Sequence, residues 1–553
     1  MRKNNLASIT EHGLQEIVEN LESKDIIKAK LVLDHFPDFP YEQQCHIIEH
    51  LKQTDKTLAL PLLVHVLVIH EKAATDHPSL PEIIFTMALQ NPGLVISEIR
   101  KPTTAQKYLL QLAIDFQFNE AVPVLIDILQ ESKEEEIIIT AIYGLGVLAD
   151  PLAVDPVSEF LYASDEYSDL QVEAIKALGQ IATPTALQRL EESMGRGADR
   201  DKEIIEVFAG LQDEESLKKL NTCLQSSNAH IRNHAKVKLT ELGPKAIPIL
   251  IANLSNPDPD LQIHSLNILQ ETDDQSVTKA VRKLLHSHPR DSNVRFAAYE
   301  ALSSLPVRKG DYLLASGLTD PEDNVRLAAA RAINHNLDEL LISGLKNMIQ
   351  VADQESRKMV RAIIDAQAED LFMALVEETA FQEQAVSYLA GAHPELRTWF
   401  VNYLIRSRKT GLANLIIRQN KTEEKKYTGK VCAVDDSRMI LNVYRSILTE
   451  LGYEPLLFQY PAEAVDWLVS NKPDFVCTDL NMPGINGLEL IKKVREKYSK
   501  EELPIVMVTT QNEVQDNNSA KEAGVNDIIY KPFDAESLGR VLYKVKSGGR
   551  RIL

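Results

Sequence analysis

The sequence of 553 residues predicts two regions of different fold class: a long all-α helical repeat array, followed by a doubly wound α/β domain of five parallel strands. Two observations support this division. In the first region, a pattern of apolar and small residues recurs at a nearly constant spacing. In the second, short apolar runs alternate with helical stretches, as in a parallel sheet covered on both faces. We therefore place the repeat array at 1–420, a charged linker at 421–427 and the α/β domain at 428–548.

In the repeat array, an apolar residue is followed four positions later by a small residue and eight positions later by Leu or Ile. The pattern is clearest in Asn293–Leu302 and Asn324–Ile333. Successive copies are 28 to 33 residues apart and begin at Ile137, Leu170, Glu203, Ile231, Leu261, Val294 and Val325. The three marked positions lie on one side of a helix, and the small residue lets a neighbouring helix approach closely. The copy at Glu203 departs from the pattern.

Each repeat also contains a second amphipathic helix, such as Ala121–Leu129, and turn residues such as Asn256–Pro259 separate the helices. Because one helix pair cannot bury its apolar face alone, the units must stack into a solenoid. These features resemble HEAT repeats, in a short form of about 31 residues rather than about 40–47. The resemblance is clearest over 105–364 and implies protein–protein binding, with a rigid spacer as the alternative.

Composition argues against several classes of function. A formal net charge of −20 argues against a dedicated nucleic-acid binder, because neutralising phosphates supplies most non-specific affinity. The four cysteines are dispersed without metal-binding spacing, which suits a reducing cytosol, so we expect a cytoplasmic protein. The most apolar run, Leu58–Ile69, is far shorter than the roughly 20 residues that a bilayer requires, so we expect a buried helix and no membrane insertion.

One motif in the array matches a zinc-peptidase signature. The segment His46–His50 reads HxxEH, the inverted zinc motif. That site also needs a third ligand downstream, and Ile47, Ile48 and Leu51 fit an ordinary amphipathic helix. Short HEAT-like repeats also occur in proteins that resemble bilin lyases, but no catalytic constellation in the array supports pigment attachment. We therefore interpret the array as a scaffold and keep an enzyme on the repeats as a minor alternative.

Five short apolar runs define the strands of the second region. They are Lys430–Val434, Pro455–Phe458, Phe475–Thr478, Pro504–Val508 and Asp527–Tyr530. Helical stretches of ten or more residues separate them, which predicts a flavodoxin-like doubly wound sheet. In such a sheet, the functional site lies at the carboxyl ends of the strands.

Polar residues follow four of these strands. Asp435 and Asp436 close the first strand and Asp479 the third, whereas Thr509 and Lys531 close the last two. Three carboxylates that meet at one edge repel each other unless a cation is present, and Mg²⁺ prefers oxygen ligands of this kind. A lysine and a hydroxyl supply donors for phosphoryl oxygens. The pattern therefore predicts phosphoryl transfer to a carboxylate with Mg²⁺.

Four motifs resemble those of the receiver domain of bacterial response regulators, over the whole length of that domain. They are VDDS, DLNMPGING, MVTT and YKPF, at Val434–Ser437, Asp479–Gly487, Met507–Thr510 and Tyr530–Phe533. The resemblance implies that Asp479 accepts a phosphoryl group from a sensor histidine kinase or a phosphotransfer protein. Thr509 and Lys531 would then hold the phosphoryl oxygens.

The same resemblance implies a set of Mg²⁺ ligands. These are Asp436, Asp479 and the backbone carbonyl of Asn481, with Asp435 acting through a water molecule. All four positions of this pattern are present in the sequence.

One position departs from the receiver pattern. Receivers often carry a Tyr or Phe three residues before the lysine, and this ring turns inward when the threonine engages phosphate. Here the position is Ile528, and Tyr530 lies next to Lys531 instead. The inward-turning ring cannot operate in its usual form, although a phosphoryl group of charge about −2 still acts on the two loops that hold it.

We expect a signalling protein in which phosphorylation of Asp479 gates protein binding by the repeats. Self-catalysed transfer onto Asp479 is the one reaction we expect, so we do not expect an enzyme in the ordinary sense. Two alternatives remain open: a phosphate sink, whose phosphorylation leaves binding unchanged, and a constitutive dock, which binds its partner without phosphorylation.

Overall fold

The computed structural model describes most of the chain. The described residues are 15–163, 168–272, 274–305, 313–419, 427–480, 482, 485–509, 520–531 and 533–546. Most of the predicted linker, 421–427, lies outside these ranges, as does Asn481.

The chain divides into two compact units, Met1–Leu220 and Asn221–Leu553. This division falls within the repeats and not at the linker that the sequence predicts. The reason lies in the packing of the second unit. There, the first helix of the α/β domain, Arg438–Glu450, packs against the repeat helices Asp323–His335 and Gln354–Asp365, so the domain and the C-terminal repeats form one body.

The first unit is built from helices. Their bounds are 15–22, Ile26–Leu33, Tyr41–Gln53, Lys56–Ile69, Ala73–Asp76, Ser79–Gln90, Pro92–Ile99, Gln106–Asp115, Val122–Glu131, Glu135–Leu148, Val154–Ser158, Ser168–Ile181, Pro184–Glu192, Ala198–Leu211 and Glu214–Thr222, the last of which continues into the second unit. Single 3-10 turns lie at Phe36–Asp38, Asn119–Ala121, Pro151–Ala153 and Glu159–Tyr162.

The repeats of the second unit are also helical. Their helices are Ala229–Leu242, Ile247–Asn253, Pro259–Leu269, Gln275–His286, Ser292–Ser304, Leu313–Ser316, Asp323–His335, Glu339–Gln350, Gln354–Asp365, Glu369–Leu375, Thr379–Gly391, Pro394–Arg406 and Thr410–Arg418, with 3-10 turns at Cys223–Gln225, Gly243–Lys245 and Gly317–Thr319. Aspartate side chains begin several of these helices by accepting a hydrogen bond from a backbone N–H of the first turn. The caps are Asp258, Asp274, Asp291, Asp338 and Asp353.

The repeat pattern accounts for the buried face of the helices. The first position of every copy except that at Glu203 is at most 5% exposed. Five copies have alanine at the +4 position, and all five side chains are fully buried. They are Ala141, Ala174, Ala235, Ala298 and Ala329. In the copy at Glu203, the three marked positions are only partly buried. The helix Ala198–Leu211 instead buries Asp201, Ile204, Ile205, Phe208 and Ala209.

The apolar run Leu58–Ile69 lies within the helix Lys56–Ile69, in which eight consecutive residues from Ala59 to Val66 are buried. The run is therefore a core helix, as predicted. In the ranges given above, no helix is both long enough and apolar enough to cross a membrane.

The HxxEH segment lies on the helix Tyr41–Gln53. His46 and Glu49 are exposed, and Glu49 accepts hydrogen bonds from neighbouring side chains of its own helix. Ile47 and Ile48, by contrast, are buried in the core. The structure therefore gives these residues the positions of an ordinary amphipathic helix.

The α/β domain contains a five-stranded parallel sheet in the order β2-β1-β3-β4-β5. Its strands are β1 Gly429–Val434, β2 Tyr453–Phe458, β3 Phe475–Asp479, β4 Ile505–Thr509 and β5 Asp527–Tyr530. Its helices are Arg438–Glu450, Pro461–Ser470, Gly487–Arg495 and Ala535–Lys546, with a further helical stretch at 520–523. The predicted doubly wound fold is confirmed.

The order of the strands positions the site. From β1, the chain runs to β2 on one side and then returns to β3 on the other, so the winding direction changes between β1 and β3. Ligands of doubly wound sheets bind at such a point, beyond the carboxyl ends of the strands. β3 and β4 are buried along their whole length, which makes this edge a rigid base for the residues that follow them.

Candidate phosphorylation site

Asp435 and Asp479 come from neighbouring strands. Val434 of β1 pairs with Thr478 of β3. The next residue on each strand, Asp435 and Asp479, therefore lies beside the other at the edge of the sheet. Asp435 is fully buried and Asp479 is 8% exposed. Asp436, one residue after Asp435, is exposed.

The ammonium group of Lys531 lies between these two carboxylates. Its Nζ atom is 2.7 Å from Asp435 Oδ2 and 3.2 Å from Asp479 Oδ1. The lysine follows β5, and its backbone N–H donates to the carbonyl oxygen of Thr509 at 2.8 Å. One buried cation therefore faces two buried carboxylates, which leaves an excess of negative charge.

Burial, together with this excess of charge, changes the pKa values of Asp479 and Lys531. Burial raises the pKa of Asp479 to about 7; Asp435 and Asp436 act in the same direction, and Lys531 opposes them. Burial alone would lower the pKa of Lys531, but Asp435 and Asp479 hold it above its ordinary value. The cluster is therefore a place where added positive charge is stabilised.

Thr509 completes the pocket on the side of β4. Val508 of β4 pairs with Asp479 of β3. Thr509, the last residue of β4, therefore lies one position beyond Asp479 on the neighbouring strand. Thr509 is 2% exposed. The structure thus brings Asp435, Asp479, Thr509 and Lys531 to one edge of the sheet, as the sequence predicts.

Comparison with known proteins agrees with this geometry. Residues 431–543 match the response regulator receiver domain, and 122–203 and 247–334 match HEAT repeats. A chemotaxis protein CheY homolog of Campylobacter jejuni is 40% identical over 122 residues, which span 22% of this chain and 94% of that protein. The chain belongs to the response regulator family. The predictions of a receiver domain and of HEAT repeats are both confirmed.

Two further similar proteins cover the same receiver domain. The chemotaxis protein CheY1 of Helicobacter pylori is 40% identical over 111 residues, which span 20% of this chain and 90% of that protein. A solved structure of CheY4 from Vibrio cholerae is 33% identical and covers 21% of this chain and 97% of its own, with a TM-score of 0.20. A receiver domain implies phosphorylation-dependent signalling.

Gly487 has a role in this receiver that the sequence reasoning missed. Its amide donates to the carbonyl oxygen of Leu480 at 2.9 Å. A Cβ atom at this position would lie 2.1 Å from the carbonyl oxygen of Asp479 and 3.0 Å from Leu480 Cα. Since both contacts are with backbone atoms, only glycine lets the following helix start so close to Asp479. The sequence signal was the glycine that ends the motif Asp479–Gly487.

Tyr444 is a second receiver residue that the sequence did not single out. It lies on the first receiver helix, is fully buried, and its ring centroid is 5.0 Å from that of Phe533. Burial raises the pKa of Tyr444 well above its ordinary value, and the charges of Asp435 and Asp479 add to this. Among the residues that the structure describes, its hydroxyl has no hydrogen-bond partner. The first receiver helix thus has one face directed to the acidic cluster.

The residues around Asp479 suit a magnesium ion, although the structure differs from the predicted set of ligands in two respects. Asn481 lies outside the described residues, and within the described ranges no three Asp, Glu, His or Cys side chains gather into a metal site. Instead, Lys531 spans the carboxylates of Asp435 and Asp479. The donor set nevertheless suits Mg²⁺, because the ion needs only one or two carboxylates, keeps several waters, and would offset the excess charge.

The departure at Ile528 is visible in the structure. Ile528 is partly buried and packs against the hydrophobic core of the receiver. Tyr530, two residues on and therefore on the same side of the strand, is 36% exposed. Ile528 therefore occupies the position at which receivers often carry their inward-turning aromatic residue.

Proposed function

We propose that this response regulator accepts a phosphoryl group on Asp479 and that phosphorylation gates protein binding by its HEAT repeats. The donor is a histidine kinase or a phosphotransfer protein, since these are the partners that a receiver domain implies. The observation that carries the proposal is the buried amine of Lys531 between Asp435 and Asp479, at the point where the sheet changes its winding direction.

The transfer is a displacement at phosphorus. A carboxylate oxygen of Asp479 forms the new phosphorus–oxygen bond, the phosphorus–nitrogen bond of the donor phosphohistidine breaks, and the freed histidine nitrogen takes up a proton. Lys531 and Thr509 lie beside Asp479 and can donate to the phosphoryl oxygens. The positions are set by the ends of paired strands of one sheet, so little reorganisation accompanies the reaction.

Three aspartates and one carbonyl would hold Mg²⁺: Asp435, Asp436, Asp479 and the carbonyl of Asn481. When bound, the ion neutralises the charge that develops between the carboxylate and the incoming phosphoryl group. The transfer is catalysed by the receiver itself, and we propose no turnover of an external substrate.

The first test is phosphorylation by a small donor. Acetyl phosphate with Mg²⁺ should label the wild type, detected on phosphate-affinity gels, and should not label Asp479→Ala. Asp466→Ala, which removes an exposed aspartate of the same domain, is the matched control and should label normally. Failure to label the wild type, or equal labelling of Asp479→Ala, would contradict the proposal.

The second test concerns the output. Proteins captured by the full chain are compared with and without beryllofluoride, which mimics the phosphoryl group on an aspartate. A change in the captured set supports gating. An unchanged set in which phosphorylation still occurs indicates a phosphate sink, and equal capture by Asp479→Ala under all conditions indicates a constitutive dock.

A further inference from the structure

The receiver domain is docked on the C-terminal repeats through its first helix, Arg438–Glu450. This helix packs against the repeat helices Asp323–His335 and Gln354–Asp365. The repeats are the part of the chain to which the proposed function assigns partner binding. The surface that they offer to the receiver helix therefore shows what kind of partner they can accommodate.

One side of this interface is apolar. Val443 and Ile447 of the receiver helix line a small cavity of about 30 Å³ together with Leu327 and Ala362 of the repeats. All four side chains are at most 7% exposed. Val443 and Ile447 are four residues apart and therefore lie on the same side of their helix. The repeats thus cover an apolar stripe of the receiver helix.

The other side of the interface is polar and centres on Arg361 of the repeats. Its Nη2 atom lies 2.8 Å from Ser446 Oγ and 3.4 Å from Glu450 Oε2 of the receiver helix. Its Nε atom lies 3.4 Å from the carboxylate of Asp365, which also accepts a hydrogen bond from the hydroxyl of Tyr388 at 2.7 Å. Because Asp365 and Tyr388 belong to the repeats, they orient the guanidinium independently of the receiver.

These contacts define a pattern that a helix needs in order to bind here. Counted from Val443, the receiver helix presents a second apolar residue at +4, a hydroxyl at +3 and a carboxylate at +7, all on one side. Helices with anchors at this spacing commonly bind to surfaces of other proteins. We call the surface of the repeats that receives them the docking surface. It is formed by Leu327, Arg361, Ala362 and Asp365.

The receiver helix does not fill the docking surface completely. A cavity of about 180 Å³ remains between the domains and is lined by Arg361 and Asp365 of the repeats and by Arg445 and Thr449 of the receiver. Of the residues that the structure describes, Thr449 Oγ1 and Arg445 Nε are among the buried polar atoms without a hydrogen-bond partner, although Arg445 Nε lies 3.5 Å from Glu395 Oε2. Such atoms weaken an interface. A helix that fits better can therefore displace the receiver helix.

A different face of the receiver helix is connected to the phosphorylation site. The ring centroid of Tyr444 is 5.0 Å from that of Phe533, two residues after Lys531. The Nζ atom of Lys531 lies 3.2 Å from Asp479 Oδ1. A phosphoryl group that binds Lys531 therefore also acts on the packing of Phe533 against Tyr444. The same helix thus contacts the docking surface and senses the phosphorylation site.

We propose that the docking surface is the partner-binding site of the HEAT repeats. Its partner is a protein helix with the pattern of the receiver helix: two apolar side chains four residues apart, and a carboxylate three residues after the second. The receiver helix occupies the site within the chain and competes with the partner, so the apparent affinity for the partner is reduced by the fraction of molecules whose site is open. Phosphorylation of Asp479 frees the site, a step that rests on the proposed function.

The probe is a fluorescently labelled peptide of residues 437–451, which is titrated with the full chain and followed by fluorescence anisotropy. A hydrocarbon staple between positions 444 and 448 keeps the peptide helical. These positions lie on the face that is directed to the receiver core in the full chain, so the staple leaves the apolar stripe and the carboxylate available.

The first arm of the test opens the site from the receiver side. Ser446→Arg in the full chain places a cation against Arg361 and should release the receiver helix while leaving the docking surface intact. We expect the peptide to bind this variant about tenfold more tightly than the wild type, within the range of typical coupling factors. Ser470→Arg, at an exposed serine of the second receiver helix, is the matched control and should bind like the wild type. If Ser446→Arg folds poorly, Glu450→Arg at an exposed position of the same helix carries this arm.

The second arm changes the docking surface itself. Arg361→Glu should weaken peptide binding even though it also releases the receiver helix, because the carboxylate of the peptide then meets a like charge. A peptide that carries Glu450→Arg should bind Arg361→Glu more tightly than it binds the wild type. Arg357→Glu, which is exposed on the same repeat helix, is the control and should bind the original peptide normally.

The outcomes distinguish the inference from the proposed function. Equal peptide binding by Ser446→Arg and Ser470→Arg overturns the inference, as does undiminished binding by Arg361→Glu. Beryllofluoride with Mg²⁺ should tighten peptide binding to the wild type about fivefold and should have no further effect on Ser446→Arg. Tight binding to Ser446→Arg, without a response of the wild type to beryllofluoride, supports the docking surface as the binding site but overturns its control by phosphorylation. A wild type that acetyl phosphate does not label overturns the proposed phosphorylation and leaves the competition for the docking surface standing.

Discussion

The HEAT repeats and the receiver domain use charged side chains differently. In the repeats, Arg189 pairs with Asp155 and Glu192 at the surface, where the three side chains are 43%, 77% and 45% exposed. The better-shielded pair of Arg295 and Asp320 joins one cation to one carboxylate. In the receiver, the side chains of Lys531, Asp435 and Asp479 are at most 10% exposed, and one cation faces two carboxylates.

This difference indicates where function resides. Exposed ion pairs contribute about 0–1 kcal/mol, so the repeats can vary them without affecting the fold. A buried cluster with unequal charges is costly and is retained where chemistry requires it. The repeats supply a large surface and contact the first receiver helix, whereas the receiver supplies the reactive groups.

Removing Lys531 should produce the largest effect. Lys531→Met leaves the buried carboxylates of Asp435 and Asp479 without their cation, which should destabilise the receiver by about 3–5 kcal/mol. Arg189→Met, the matched change at an exposed site, should change stability little. Hydrogen exchange of β3 for the first variant, and of helix Pro184–Glu192 for the second, measures the two losses. Equal losses of stability in Lys531→Met and Arg189→Met would contradict the contrast between the buried cluster and the exposed ion pairs.

The second largest effect should come from a glycine substitution, which should affect the receiver and not the repeats. Gly487→Ala forces a Cβ atom against the backbone oxygen of Asp479, so we expect a destabilisation of about 1–3 kcal/mol and a loss of labelling at Asp479. Gly391→Ala, at the end of a repeat helix, meets no atom within 4 Å and should leave both quantities unchanged. Phosphate-affinity gels and denaturant unfolding measure these effects. Normal labelling of Gly487→Ala would show that the loop tolerates the shift.

A packing change in the repeats should affect stability alone. Ala174→Leu inserts three carbons at a fully buried +4 position and should destabilise the first unit by about 1–3 kcal/mol. Lys176→Leu, two residues on and exposed, is the control and should change stability little. Labelling of Asp479 should be normal in both. A strong loss of labelling in Ala174→Leu would mean that repeat packing and receiver chemistry are coupled.

The smallest effect should be a dependence on pH in the repeats. Burial lowers the pKa of His264 to about 2, and the nearby Lys236 and Arg232 act in the same direction. Below pH 6.5, the unfolded chain binds a proton at this histidine and the folded chain does not, so stability falls as the pH decreases, by at most about 1.4 kcal/mol per pH unit. Denaturant midpoints at pH 7.5 and 5 should therefore differ less in His264→Gln. An unchanged difference would assign the pH dependence to other groups.

Most of the receiver could be predicted from the sequence because its strands are continuous apolar runs and its polar residues follow them directly. Asp527–Tyr530 has the predicted bounds, whereas β2 begins at Tyr453, two residues before Pro455. Proline usually prevents pairing inside a sheet, but β2 is an edge strand, where the missing N–H is tolerated. In the repeats, the copy at Glu203 departs from the pattern because its helix buries Ile204, Ile205, Phe208 and Ala209 and not the three marked positions.

The docking of the receiver on the repeats could not be predicted. The sequences of helices Asp323–His335 and Arg438–Glu450 indicate only two amphipathic helices, and their contact depends on how two domains distant in the sequence pack. The same docking moved the division of the chain into compact units away from the predicted linker. Local patterns determine elements and strand ends, but not how two domains pack.

The central claim is that Asp479 becomes an acyl phosphate, and chemical trapping tests it most directly. The full chain is treated with acetyl phosphate and Mg²⁺, reduced with borohydride, which converts an aspartyl phosphate to homoserine, and mapped by peptide mass spectrometry. We predict homoserine in place of Asp479 and unmodified Asp435 and Asp436. Reduction at any of those other residues, or at none, would contradict the account.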